Sequence, residues 1–261
     1  MSRLTDLFSK KQSDILNIYF TAGYPKLDDT ERIILALDKA GADVIELGMP
    51  YSDPMADGPT IQESGSQALK NGMKLAVLFD QLKDVRTKTQ IPLVLMGYFN
   101  QVMQFGEEQF FAKCMEVGID GLILPDLPLE VFAREYKDMY KKYSLDSIFL
   151  MSPQSGEQRI KRVDELSTGF IYMVADASIT GKQGEITKKQ IEYFENVDKM
   201  GLKNPRLIGF GISDHQGYTT ACNYANGAII GSAFIRQLKQ NPSNERITDF
   251  IYGIKGHHLI A

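Results

Sequence analysis

The sequence predicts a (β/α)8 barrel, the TIM-barrel architecture, built as a single domain. Three observations predict it. Eight short apolar runs alternate with longer amphipathic stretches. The chain has 261 residues, and eight β/α units need roughly 250. Polar and glycine residues gather at one end of the apolar runs, where barrels of this kind carry their active sites. No long linker or low-complexity stretch interrupts the alternation, so residues 1–261 are expected to form one domain.

The predicted strands are 15–21, 43–48, 91–97, 118–124, 146–151, 170–174, 206–210 and 227–230. Each is short and rich in Ile, Leu, Val, Phe and Tyr, as strands covered on both faces are. The predicted helices are 28–40, 73–87, 107–117, 130–143, 156–166, 187–200, 213–224, 232–239 and, last, 245–253. The first shows the pattern most plainly. Ile33, Ile34, Leu37 and Ala40 share a face, Asp28 is an expected N-cap, and Gly41 an expected stop. A count of eight favours closure over an open doubly wound sheet.

Composition narrows the function classes. A net charge of −4 argues against a nucleic-acid or membrane surface, which needs a basic excess. Any anionic substrate should therefore be held by backbone donors and local geometry. Residues 1–14 lack the apolar core of a signal peptide and no run approaches a membrane span, so a cytoplasmic protein is expected. Cys114 and Cys222 lie in apolar helical stretches and are expected to be buried free thiols. His215, His257 and His258 have no metal-type spacing, so no metal is expected. No P-loop or GxGxxG indicates a nucleotide.

The segment after the second strand reads Glu46-Leu-Gly-Met-Pro-Tyr-Ser-Asp-Pro-Met-Ala-Asp-Gly-Pro59 and carries three carboxylates. Glu46 sits inside an apolar run. Burial there would raise its pKa toward the range a general acid needs. It reads equally as an acid closing a salt bridge within the barrel. Asp57 lies past two prolines that stiffen the chain, which can return it over the strand end facing Glu46. Its alternative is an Asp-Gly turn, and Asp53 is a strong turn former.

The last two strands end in Gly209-Phe-Gly-Ile-Ser213 and Gly231-Ser232, each opening a predicted helix. Thr180-Gly181, after the sixth strand, can add another N–H. Glycines at consecutive strand ends, with helix N-termini behind them, favour a bound phosphate.

These residues resemble the alpha subunit of tryptophan synthase. The most specific stretch is Glu46 to Gln62, ending Asp57-Gly-Pro-Thr-Ile-Gln62. Phe20-Thr-Ala-Gly-Tyr-Pro25, Met96-Gly-Tyr-Phe-Asn100, Asp126-Leu-Pro-Leu-Glu130, Gly209-Phe-Gly-Ile-Ser213 and Gly231-Ser232 follow in the family's order across nearly the whole chain. The resemblance implies reversible cleavage of indole-3-glycerol phosphate to indole and glyceraldehyde 3-phosphate. It implies Glu46 as general acid and base, Asp57 as acceptor of the indole N–H, and Tyr172 as an active-site tyrosine. It places Tyr19, where the family usually has phenylalanine, in the indole pocket, and adds Tyr98 and Phe210 to the substrate site. Thr180 would hydrogen-bond to Asp57 on lid closure. Gly181, Gly211, Gly231 and Ser232 would bind the phosphate. No cofactor is implied on this chain; the pyridoxal phosphate belongs to the partner beta subunit, expected in an α2β2 heterotetramer whose interface includes the loops with Asp53 and Asn100.

One departure is visible. The loop after the sixth strand reads Ala175-Asp-Ala-Ser-Ile-Thr-Gly181, where the family usually has Ser-Arg-x-Gly-x-Thr-Gly. Asp176 and Ser178 replace an arginine and a glycine, which reverses a charge near the phosphate mouth. Rival readings leave weaker traces. An epimerase or aldolase would show a metal cluster or Schiff-base lysine at the strand ends, and a non-catalytic scaffold would have lost Glu46 or Asp57. A stand-alone lyase of the same family is the remaining alternative.

Overall fold

Strands that are apolar on both faces must be covered twice, once by each other across a barrel and once by helices. A computed structural model, which describes residues 2–54, 57–175, 187–209 and 211–256, shows this arrangement. The strands are β1 (Ile15–Thr21), β2 (Val44–Gly48), β3 (Leu93–Met96), β4 (Gly121–Ile123), β5 (Asp146–Ser147), β6 (Phe149–Met151), β7 (Ile171–Val174), β8 (Arg206–Gly209) and β9 (Gly227–Ile230). They are all parallel, in the order β5-β4-β3-β2-β1-β9-β8-β7-β6. β5 and β6 are consecutive pieces of one predicted strand, interrupted at Ile148, whose N–H still bonds to Leu122 O at 3.2 Å. The row therefore meets itself and forms the expected eight-membered barrel.

The helices are α1 (Arg3–Lys10), α2 (Asp29–Ala40), α3 (Pro59–Lys70), α4 (Leu75–Leu82), α5 (Phe99–Phe105), α6 (Glu107–Val117), α7 (Leu129–Val131), α8 (Lys137–Lys142), α9 (Glu157–Leu166), α10 (Lys188–Asp198), α11 (His215–Cys222), α12 (Ser232–Gln240) and α13 (Asn244–Lys255). A π turn over 132–136 joins α7 to α8, so the predicted helix 130–143 is one helical path with a bulge. Gly41 ends α2 at φ 93° as expected, but Asp28 stands at the N-cap without a side-chain bond. Cys114 is buried, whereas Cys222 is only half-buried.

Three helices were not legible as apolar stripes. α3 buries Ser64, Gly65 and Ala68, small residues with no apolar period, and Ser64 Oγ and Thr21 Oγ1 share a hydrogen bond of 2.6 Å. α5 is a seven-residue helix inside a strand-end loop. α1 is mostly polar, but Leu4 is fully buried against the starts of the strands, with Leu7 and Phe8 beside it. The Phe8 and Phe170 rings lie 6.1 Å apart, and Arg3 pairs with Asp120 at 3.0 Å. α1 thus closes the barrel's N-terminal mouth.

Strand parity sorts the core into two shells. Ile15, Val44, Val94, Ile123, Ile148, Phe170, Leu207 and Ile229 fill the barrel's interior. The alternate residues, such as Ile18, Phe20, Ile45 and Leu95, pack against the helices. Above the inner layer the same parity directs polar groups inward, and these form the site.

Candidate active site

Glu46 points into the barrel from the middle of β2 and is 1% exposed. Burial is the main reason its pKa rises from 4.5 to about 8. The nearby Asp57 carboxylate adds to the rise, and a hydrogen bond from Asn17 opposes it. Asn17 Nδ2 donates to Glu46 Oε2 at 3.0 Å, while Oε1 has no partner among the described residues. Glu46 makes no salt bridge among the described residues, so the reading as a structural ion pair falls away.

Two inward tyrosines wall the acid. Tyr19 projects from β1 and Tyr172 from β7, and the chain makes room for each with a glycine. A Cβ on Gly48 would stand 2.1 Å from the Tyr19 hydroxyl, and one on Gly209 would stand 2.4 Å from that of Tyr172. Burial first, then the charges of Asp57 and Glu46, push both phenols above their ordinary range, so they remain neutral.

Asp57 returns over the barrel mouth on a braced loop. Gln62 Nε2, from the first turns of α3, donates to Asp57 O at 2.8 Å, and Gln101 Nε2 donates to Pro50 O at 3.0 Å. The Tyr51 and Tyr98 rings stack at 5.0 Å, and Asn100 Nδ2 donates to Tyr51 Oη at 2.9 Å. Phe99 N–H donates to Asp126 Oδ1 at 2.8 Å, which holds α5 against the loop after β4. The Asp57 carboxyl accepts from Tyr98 Oη at 3.3 Å. Partial burial raises its pKa, and the Tyr98 hydrogen bond offsets part of that. Asp53, by contrast, is exposed and accepts from its neighbour Ser52.

One cavity of about 310 Å³ joins these groups. Tyr19, Glu46, Asp57 and Tyr172 line one end, with Ile61, Met96 and Ile229 between them. Gly211, Ser213, Gly231, Ser232 and Arg236 line the other. A side pocket of about 50 Å³ shares Tyr19, Asp57 and Met96 with it and is bounded by Tyr98, Pro125 and Leu150. Seven predicted site residues therefore meet at the main cavity, and Tyr98 borders it through Asp57. Thr180, Gly181 and Phe210, with the altered lid residues Asp176 and Ser178, lie outside the described residues.

The glycine end differs in detail from expectation. α12 begins at Ser232 with Gly231 as an uncapped N-cap, so its first N–H groups have no intrahelical acceptor. α11 begins only at His215, and Asp214 caps it by accepting from Gly217 N at 2.8 Å. The loop after β8 therefore offers the backbone at 211–213 rather than a helix N-terminus. Gly211 has φ +84°, a conformation that favours glycine.

Sequence reading missed two polar members. Arg236 stands one turn along α12 from Ser232, the same face by spacing, and has no ion pair among the described residues. The next cation on the helix, Lys239, is already paired with Glu63 at 2.5 Å. Asn17 gave no signal, because the acid it touches lies on another strand.

Chemically, the cavity holds an uncharged carboxyl group near neutral pH, a second carboxylate, two neutral phenols, apolar walls and, at its far end, two glycines, two serines and the Arg236 guanidinium.

Comparisons with known proteins point to one family. A family model described as tryptophan synthase alpha chain matches residues 6–251. The tryptophan synthase alpha chain of Flavobacterium johnsoniae is 51% identical over 255 residues, covering 98% of this chain and 100% of that one. That of Christiangramia forsetii is 50% identical over 248 residues, covering 94% and 96%. Among solved structures, tryptophan synthase subunit alpha from Legionella pneumophila superposes with a TM-score of 0.88 at 28% identity, covering 98% of each chain. A chain of the tryptophan synthase complex from Pyrococcus furiosus gives 0.86 at 33% identity, covering 94% of this chain and 99% of that one.

Proposed function

The chain belongs to the tryptophan synthase alpha chain family, lyases that act on indole-3-glycerol phosphate, and from that premise we propose a role for each residue of the cavity. Glu46 is the proton-transfer group. In its neutral form it delivers a proton to indole C3, which places positive charge on the indole nitrogen. Asp57 accepts the indole N–H and stabilises that charge. Glu46, now a carboxylate, takes the proton from the glycerol hydroxyl on the carbon bonded to C3. The O–H electron pair becomes the aldehyde C=O, and the C3–C bond electrons return to the ring. Indole and glyceraldehyde 3-phosphate are the products, and Glu46 ends protonated as it began.

The observation that carries this reading is the buried Glu46 carboxyl, without an ion pair among the described residues and with pKa about 8, opening on the same cavity as Asp57. Tyr19, Tyr98, Met96 and Leu150 form the indole end, and Tyr172 packs beside Glu46. Gly211, Gly231, Ser232 and the first turn of α12 bind the phosphate; Thr180, Gly181 and Phe210 are assigned to the substrate site by the family resemblance alone. kcat/KM is expected to fall above about pH 8, as Glu46 of the free enzyme loses its proton. A profile flat to pH 10 contradicts the assignment.

Arg236 supplies the positive charge that backbone donors lack. Arg236→Ala is expected to raise KM about tenfold with kcat nearly unchanged, since one charge-assisted hydrogen bond is worth roughly a factor of ten. Steady-state kinetics at two salt concentrations check this, and the wild-type advantage shrinks at high salt.

A tryptophan synthase beta subunit is the partner, as the solved complexes of relatives indicate. An α2β2 heterotetramer and a cytoplasmic location follow from the same reading. The docking face carries Asp53, Asn100 and Met103, the last 49% exposed on α5. Co-purification with a beta subunit tests it, and a chain that stays monomeric beside an excess of that subunit contradicts it.

A further inference from the structure

Asn17 is out of place in its layer of the barrel. It is fully buried, and its strand neighbours across the register are Val44 on one side and Ile229 on the other. A polar amide there costs desolvation that an apolar side chain of the same volume does not. Its one hydrogen bond reaches diagonally, from Nδ2 to Glu46 Oε2 at 3.0 Å. Its own Oδ1 and the other Glu46 oxygen, Oε1, are both buried without a partner among the described residues. The amide therefore spends a costly position on distinguishing two oxygens of one carboxyl group.

We propose that Asn17 is the positioning residue for proton transfer: it ties Glu46 Oε2 and leaves Oε1 as the oxygen that carries the proton to the substrate. This rests on Glu46 being the proton-transfer group. In the orientation seen, Nδ2 donates, so the tied oxygen is the acceptor and the acidic proton resides on Oε1. The bond also fixes the rotamer, so the proton departs from the same point in every turnover. The other ionisable groups facing Glu46 are Tyr19 from β1, Tyr172 from β7 and Asp57 from the loop after β2. Both tyrosines stay neutral through the working range, which leaves Asn17 and Asp57 as opposing influences on the acid.

The test compares wild type, Asn17→Leu and Glu46→Gln in kcat, KM and the pH profile of indole release, with thermal melts of each. Asn17→Val serves if the leucine does not fit. Losing the donor removes a bond that favours the ionised acid, so the alkaline limb is expected to move up by about one pH unit. kcat at the optimum is expected to fall about 10–100-fold through loss of orientation, with KM within about twofold and the melting temperature unchanged or higher. An unmoved limb with wild-type kcat overturns the proposal, as does a loss confined to KM or one that follows a lowered melting temperature. The Glu46→Gln arm separates the two readings. If it turns over normally, the assignment of Glu46 itself has failed; if it is inactive while Asn17→Leu behaves as wild type, only the role of Asn17 has failed.

Discussion

Glu46→Gln is expected to lower kcat for indole-3-glycerol phosphate by about 10³–10⁴-fold while leaving KM within about twofold. A positioned acid–base group typically contributes 10²–10⁴-fold, and Glu46 serves twice in one turnover, which places it at the upper end. Binding is expected to survive because the residues proposed to hold the phosphate and the indole line other parts of the cavity. The same change should stabilise the fold, with a definite pH dependence. The folded chain holds a proton on Glu46 up to about pH 8, whereas an unfolded chain releases it near 4.5. Between those values the folded state binds more protons, so wild-type stability falls as pH rises through the window and is lowest above it. Glutamine has no such dependence. The stability gap between variant and wild type, followed by thermal melts, should therefore be small at pH 5 and widest at pH 9, on the order of 3–5 kcal/mol. A constant gap across that range would mean Glu46 is not held neutral.

The second large effect is at Asp57. Asp57→Asn keeps an oxygen for the indole N–H but removes the charge, and kcat is expected to fall about 10²–10³-fold, the usual cost of deleting one group aimed at developing charge. A second signature goes with it. Ionised Asp57 raises the Glu46 pKa, so the variant's alkaline limb should move to lower pH. That is opposite in sign to the shift expected for Asn17→Leu. Two neighbours of one acid thus give kinetic signatures that cannot be confused. An Asp57→Asn enzyme with undiminished kcat contradicts the charge-stabilising role.

Much of this was legible in the sequence, for identifiable reasons. β1 and β9 match their predicted bounds because apolar runs bounded by polar turns leave little freedom. The segment from Glu46 to Pro59 announced itself because a carboxylate inside an apolar run is costly unless used. What was missed depends on contacts between distant positions. α3 hid because its inner face is made of Ser64, Gly65 and Ala68, which carry no hydrophobic period. α1 reads as a polar N-terminus, and only the presence of an open barrel mouth explains Leu4 and Phe8. The split of the fifth strand at Ile148 has no local sign in the sequence. Asn17 and Arg236 become interpretable only when β1 is set beside β2 and α12 over the cavity. Arg236, which has no ion pair among the described residues, adds a side-chain cation to the backbone donors expected at that end of the cavity.

The central claim is that a neutral Glu46 and a charged Asp57 on one cavity cleave indole-3-glycerol phosphate. The direct measurement is indole release from that substrate across pH, with and without an added beta subunit. Slow release by the chain alone, faster release with the partner, and a fall in kcat/KM above about pH 8 are the predicted results. Folded protein that releases no indole in either condition contradicts the account.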